Sequence, residues 1–390
     1  MVIMAHHHFP ISTFRGIQNH MEVRPFTIDK LTRSQSVRLR DLRDAIPQEC
    51  FQIDSARSWW TLIRIFGCIG ILMAAIHALP LSWGAGLAWQ APVLCVLWLL
   101  TGWAMVGLFV LGHDCGHKAF SKKRWVNKVV GHLCMSPLSN ALHTWTVTHD
   151  HHHAHTQRRG EEVDWAAHLK TREEFDQTSW RKDLIVRLGY ALPFGVFFWI
   201  ITNTVRRGFL VKRQIGERRF NLERMELLLS NLVMLTTISA IYGGLLYFGG
   251  LWTMLKYYGI PGFVATVTGA LIITVQHANR HTLSYTQKGW TPMRGQLVST
   301  FDVRFPRWLE WAWCNITIHI PHHVAPTIPW YHLPKASAAL KAAYPNHYQS
   351  RPFSTWHLAW FAKTPMLRLV EDLGVYVMDL PENAEVTAAK

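Results

Sequence analysis

Apolar residues in this chain gather into a few long blocks rather than the short amphipathic repeats of a water-soluble core. The first block runs from Trp59 to Leu79, and its only charge, Arg64, lies near the start, where a long side chain can snorkel toward lipid headgroups. Pro80 and Gly84 make a tight connection to residues 85–112, which carry no charged side chain. As a helix, that second block is about 40 Å long against a hydrocarbon core of about 30 Å, so one end should project beyond the bilayer. His113 would stand on that projection. Two further blocks, residues 227–248 and 252–275, flank a Gly249-Gly250 turn, with Lys256 the one charge inside. The pattern predicts an all-α integral membrane protein with four transmembrane helices in two hairpins. A fifth apolar stretch, residues 188–204, sits between Arg187 and the pair Arg206-Arg207. Were it to cross, the histidine clusters on its two sides would be separated by the membrane, so it is read as an interfacial helix.

These blocks divide the chain into an N-terminal segment (1–50), a membrane domain (51–350) and a C-terminal tail (351–390). The first 25 residues and the stretch from Asp379 to Lys390 are expected to be loose. From Ile65 through His117, and from Met225 through Asn279, Lys256 is the sole Lys or Arg. By the positive-inside rule both termini and the basic segments are cytoplasmic, and only two short turns face outward. Charged residues make up 17% of the chain and the apolar set 49%, which excludes a disordered or fibrous protein. The net charge of +15 suits nucleic acid or an anionic membrane, and the 19 Trp favour membrane lipids as partner over nucleic acid. Six cysteines without a CxxC pair read as buried thiols in a reducing compartment. The opening MVIMAHHHFPISTF has neither a charged n-region nor a continuous apolar h-region, so membrane entry is expected from internal spans. The absence of a transit-like segment favours a bacterial plasma membrane.

The 23 histidines are not scattered. HDCGH places His113 and His117 four apart, about one helical turn. THDHHHAH holds His149, His152 and His153 as HxxHH, and HIPHH repeats that pattern at His319, His322 and His323. One HxxxH alone is a weak signal; together with two HxxHH copies on one side of a membrane it is not. Neutral imidazole is a good ligand for Fe, Zn, Cu or Ni, and eight imidazoles exceed the needs of one ion while sufficing for two. A cytoplasmic His-rich di-metal domain follows, and with no acidic catalytic partner nearby it suits oxidation better than hydrolysis. His277, leaving the fourth block, would be a ninth ligand, with His281 a weaker candidate. Asp114 and Asp150 adjoin ligand candidates and could orient imidazoles, or could be solvated turn residues. Asn315, one turn before His319, would hold a ligand or water. His132, His143, His151, His155 and His168 lack the paired spacing of these motifs and are read as ordinary surface or core residues. Pro321 inside the third motif predicts a helix start or kink there. The basic residues Lys122, Lys123, Arg124, Arg158 and Arg159 should meet anionic headgroups or an acidic electron carrier.

HDCGH, HDHHH and HIPHH, with hydrophobic hairpins between, resemble the membrane fatty-acid desaturases of the acyl-lipid Δ12/ω3 type. The likeness covers roughly residues 50 to 350, including KKRWVN after the first motif and the stretch from QHAN to CNITIHIPHH. It implies a non-haem di-iron centre, two iron ions held by His113, His117, His149, His152, His153, His319, His322 and His323, with His277 matching a further family histidine. The implied reaction uses dioxygen and two externally supplied electrons to remove two hydrogens from adjacent methylenes of a fatty acyl lipid, and a tunnel would fix the chain. No haem-ligating HPGG motif is present, so a separate ferredoxin or b-type cytochrome is the expected electron donor. Fatty-acyl hydroxylases and acetylenases share these ligands and are the nearest alternative. A His-rich metal transporter would carry Asp, Glu or His within its spans, and these spans hold only His77, at an end. Carotenoid oxygenating enzymes with histidine motifs, disfavoured by the motif spellings, and a receptor or scaffold with structural zinc are the remaining rivals.

Overall fold

A computed structural model describes residues 37–79, 87–163, 169–177, 211–212, 215–279, 281–354 and 366–379. Among the described residues three helices, Ser55–Ala78, Ala88–Gly116 and Glu217–His277, are long and apolar enough to cross a membrane. The first, α1 (Ser55–Ala78), starts where the Asp54 carboxylate accepts the Arg57 N–H at 3.1 Å. Next, α2 (Leu87–Gly116) continues past its apolar block and carries His113 in its last turn, the projection expected from its length. The amphipathic α3 (Arg124–Met135) buries Val126, Val130 and Cys134 and exposes Trp125, Val129 and Leu133. Helix α4 (Leu142–His155) holds the second histidine motif.

The longest helical run comprises α5 (Glu217–Met254), one π turn (Leu255–Gly259) and α6 (Ile260–His277). Its backbone leaves the helix at Gly250, at φ 71 and ψ −178, a conformation open to glycine because it lacks a Cβ. Tyr242 and Tyr258 would lie about 24 Å apart on a straight helix. Their ring centroids are 5.0 Å apart, so the chain folds back at the Gly249-Gly250 turn.

Helix α2 is central and packs against α1, α3 and α6. Glycines set the spacing: a Cβ on Gly102 would come within 2.5 Å of Val264, and one on Gly112 within 2.4 Å of Met135. Beyond α6 the chain forms short elements: β1 (Leu283–Tyr285), β2 (Asp302–Arg304), α7 (Arg307–Ala312), α8 (Ile320–Val324), α9 (Leu333–Ala343), β3 (Ser350–Pro352), β4 (Met366–Val370) and β5 (Val375–Asp379). Strand β5 lies between β1 and β4, antiparallel to both, and β2 pairs parallel with β3.

The chain departs from its all-α reading in these strands. Asp379, expected at the start of a loose tail, pairs with Met366, and β5 ties the C-terminal segment to β1. Arg64, expected to snorkel, also has protein partners: its guanidinium lies 3.6 Å over the Trp311 ring and donates to Trp311 O at 3.2 Å, so α7 meets it directly. Cys68 and Cys95 are exposed, on the outer faces of α1 and α2, while the other four cysteines are buried. The interfacial stretch 188–204, His168, residues 1–36 and residues 380–390 lie outside the described residues.

Candidate metal centre

Four stretches of chain deliver histidines to one end of α2 and α6. His113 stands in the last turn of α2, and His117 follows it, before Lys118 takes the left-handed backbone (φ 62) that ends the helix. Helix α4 presents His149, His152 and His153, and α6 ends on His277. His319 is the N-cap of α8, and Pro321 occupies its first turn, where a missing N–H costs no helix bond, so the motif starts a helix and His322 and His323 follow. All nine histidines are buried.

They form two groups. Ligand atoms of His113, His117, His149 and His322 lie within 4.8 Å of one another, as do those of His152, His277 and His323. His153 joins the first group, its Nε2 at 3.0 Å from His149 Nε2 and 3.1 Å from His322 Nε2. His319 joins the second, at 2.9 Å from His277 Nε2 and 3.0 Å from His323 Nε2. With His277 and His323 at 3.2 Å, three Nε2 atoms form a closed triangle. Imidazole nitrogens bound at about 2.0–2.1 Å and at right angles around one ion would lie about 3.0 Å apart. The triangle has that size. In addition, Nε2 of His113 and of His117 is buried without a hydrogen-bond partner among the described residues. A bound cation relieves such orphaned lone pairs, so the donor set fits metal ions.

Protonation agrees. Burial first, and neighbouring imidazoles next, hold His117, His149, His153, His319, His322 and His323 well below the ordinary histidine range. The rings are therefore neutral, the form that ligates metal.

A layer of polar groups orients the rings. Asp114 lies 3.3 Å from His113 Nδ1, and its other oxygen accepts the Trp330 N–H at 3.1 Å. Asp150 stands 3.6 Å from His117 Nδ1, too far for a hydrogen bond. Asn315 differs from its expected role. Cys314 and Asn315 have positive φ, so no helical turn joins Asn315 to His319, and its amide donates to Trp330 O at 3.2 Å. Three groups escaped the sequence reading. Glu162 is buried at 2.7 Å from His152 Nδ1 and accepts the N–H groups of Gln157 and Val163, each at 2.9 Å. Gln296 Oε1 meets His323 Nδ1 at 2.9 Å, and its amide donates to His153 O. Asp302 Oδ1 accepts the His319 and Ile320 N–H groups at 2.7 and 2.9 Å, while Oδ2 accepts the Ser337 and Tyr348 hydroxyls. Burial pushes the Asp302 carboxyl up to about 6, opposed by those four bonds.

Histidines outside the motifs stay out of the cluster. His143 pairs with Glu223 at 2.9 Å, and His281 meets Arg351 at 2.9 Å. His132 is half-buried on α3. His151 and His155 are four residues apart on the outer face of α4, their ring centroids 4.2 Å apart and tilted by 31°.

A cavity of about 700 Å³ runs between α2 and α6 and ends on the cluster at His113, His149, His277 and His319. Its wall is apolar, including Met105, Phe109 and Gly269, and reaches Tyr242, Tyr258 and Gly262. Gly262 precedes His277 by 15 residues on α6, about 22 Å along the helix.

Comparison with known proteins agrees with this geometry. Residues 87–355 match the family model described as fatty acid desaturase. The sn-1 oleoyl-lipid 12-desaturase of Synechocystis sp. is 31% identical over 322 residues, covering 83% of this chain and 86% of the relative. The chloroplastic omega-6 fatty acid desaturase of Spinacia oleracea is 28% identical over 329 residues, covering 83% of this chain and 67% of its own. The sn-1 acyl-lipid omega-3 desaturase (ferredoxin) of Nostoc sp. is 28% identical over 323 residues, covering 83% and 85%. With a family model over more than half its length and a relative above 30% identity across most of both chains, this chain belongs to the fatty acid desaturase family, on its acyl-lipid Δ12/ω3 side.

Proposed function

We propose that the protein is an acyl-lipid desaturase that introduces a double bond into a fatty acyl chain of a membrane lipid, with nine histidines holding two iron ions. One observation carries the reading: a long, mostly apolar cavity ends on two groups of buried histidines. One leaflet's acyl chain fills about half of the ~30 Å hydrocarbon core, so a run of about 22 Å accommodates it. The cavity wall fixes which methylenes reach the histidine end, because C–H bonds along the chain are chemically almost equivalent. The same wall excludes water, which protects reactive chemistry from side reactions.

His113, His117, His149, His153 and His322 would hold one ion, and His152, His277, His319 and His323 the other. Bound iron would supply the redox chemistry by which dioxygen, two electrons and two protons, with two hydrogens from adjacent methylenes, give one double bond and two waters. Glu162, Gln296 and Asp114 keep their imidazoles turned toward that centre.

The electron donor is a separate protein of ferredoxin type, in line with the printed name of the Nostoc relative. A b-type cytochrome is the other donor class. The protein crosses the plasma membrane four times, through α1, α2, α5 and α6, with the histidine end and both termini cytoplasmic. Exposed Trp59, Trp60, Trp89 and Trp252 on those helices, and the Trp125, Val129, Leu133 stripe of α3, support a lipid-facing exterior with an interfacial α3.

Fatty acids of a host expressing this chain, analysed by gas chromatography with mass spectrometry beside the His322→Ala variant, test the reading. A new unsaturated acid made only by the intact chain is expected, with the bond position read after derivatisation. A hydroxy acid in its place would move the protein to the hydroxylases. No new product, despite iron in the purified protein and a competent donor, would overturn the reading.

A further inference from the structure

We infer that His151, His155 and Glu161 form a second, peripheral metal site that takes a divalent late first-row ion of the zinc class. At about 100° per residue, His151 and His155 lie on the side of α4 away from His149 and His153, so they do not belong to the buried cluster. One ligand atom from each of the three residues lies within 4.8 Å of the other two, and all three side chains are half-exposed, open to an ion from solution.

Two hydrogen bonds to backbone carbonyls set the tautomers. His155 Nδ1 lies 3.0 Å from the carbonyl of His151, and His151 Nε2 lies 3.0 Å from the carbonyl of Glu161. A carbonyl oxygen only accepts, so each of these ring nitrogens carries the hydrogen. That leaves the lone pairs on His155 Nε2 and His151 Nδ1, the arrangement of metal-ligating histidines whose other nitrogen donates to a backbone carbonyl. Glu161 adds a carboxylate oxygen and makes no ion pair among the described residues. Two imidazoles and one carboxylate leave a position for water, and by ligand type the set prefers nickel, copper or zinc to magnesium or calcium.

The site is linked to the buried centre. Glu161 is followed by Glu162, which lies against His152, and the same loop carries Gln157, whose amide donates to His277 O at 2.6 Å. An ion joining Glu161 to the last turn of α4 braces the loop that holds two of the second group's histidines.

Cobalt(II) reports on this site in the full-length, iron-loaded protein in detergent micelles, through its visible absorption and the metal retained after gel filtration. The intact protein should keep a single equivalent of cobalt with its iron content unchanged, zinc should displace that cobalt and magnesium should not. His155→Ala should lose the cobalt while keeping its iron, which also reports folding, and the milder Glu161→Gln should bind more weakly. The proposal is overturned if the intact protein retains no cobalt, if both variants retain as much as the intact chain, or if cobalt enters only as iron leaves.

Discussion

The two histidine groups differ in how firmly their rings are held. In the second, His152 has Glu162 at 2.7 Å, His323 has Gln296 at 2.9 Å, and the backbone of His319 is anchored on Asp302 at 2.7 Å. In the first, the carboxylates stand farther off, at 3.3 Å from His113 and 3.6 Å from His117, and Nδ1 of His149 and of His153 has no hydrogen-bond partner among the described residues. Nδ1 of His319 in the second group also has no hydrogen-bond partner among the described residues. The contrast rests on His152 and His323, whose rings meet a side chain at 2.7 and 2.9 Å, whereas the first group's one such contact among the described residues, at His113, is 3.3 Å.

Acid treats the groups alike and has the largest effect. In the folded, metal-free protein His117, His149, His153, His319, His322 and His323 stay unprotonated to well below the ordinary range, while in the unfolded chain they protonate near pH 6.5. Below that pH the unfolded state binds more protons, so the stability present above about 6.5 falls with pH, each such histidine removing about 1.4 kcal/mol per pH unit. Denaturant midpoints between pH 8 and pH 5 should drop steeply below 6.5. A flat profile would show that the rings are not held neutral.

Removing carboxylates should separate the groups. Glu162→Ala strips His152 of its partner and leaves the Gln157 and Val163 N–H groups without an acceptor. Loss of such an orienting group lowers metal affinity or activity by about 10–100-fold. Iron content and desaturation should fall together, and Glu162→Gln, which keeps an acceptor oxygen, should recover part of both. Undiminished iron in Glu162→Ala would break the contrast.

The ligands were legible in the sequence because their spacing is local. HxxxH and HxxHH put side chains on one helical face whatever the rest of the chain does, and His277 follows from the end of an apolar block. What orients them was not. Glu162 reaches His152 across a turn after α4, Gln296 reaches His323 over 27 residues from a π turn, and Asp302 meets the His319 backbone from a strand. No periodicity marks contacts of that kind. Spacing also misled at Asn315, where a helix was expected and two positive φ angles break it. Nothing around Arg64 in the chain signals the Trp311 ring, which lies 247 residues away. The histidines that looked unpaired, His151 and His155, are four apart with their rings in contact, a spacing hidden beside the denser motif on the same helix.

The cavity offers a gentler probe, since it touches both groups, at His113 and His149 of the first and His152, His277 and His319 of the second. Gly269 lines it, and a Cβ there would meet nothing within 4 Å. Gly269→Leu should therefore fill space without strain in α6, leaving iron content unchanged while disfavouring the longest acyl chains in the product profile. An unchanged chain-length profile would mean that the acyl chain does not pass this point.

Asp150→Asn should do least. Asp150 is 45% exposed in its side chain, lies 3.6 Å from His117 Nδ1 and 3.9 Å from Arg219, and closes no hydrogen bond on the ring. Substitutions at such sites stay within about 0.5 kcal/mol, roughly twofold in an equilibrium constant. Iron affinity and turnover should both remain inside that margin, far from the loss at Glu162. A larger loss would mean that a water bridges Asp150 to His117, and that the first group is oriented as strictly as the second, through solvent instead of direct contact.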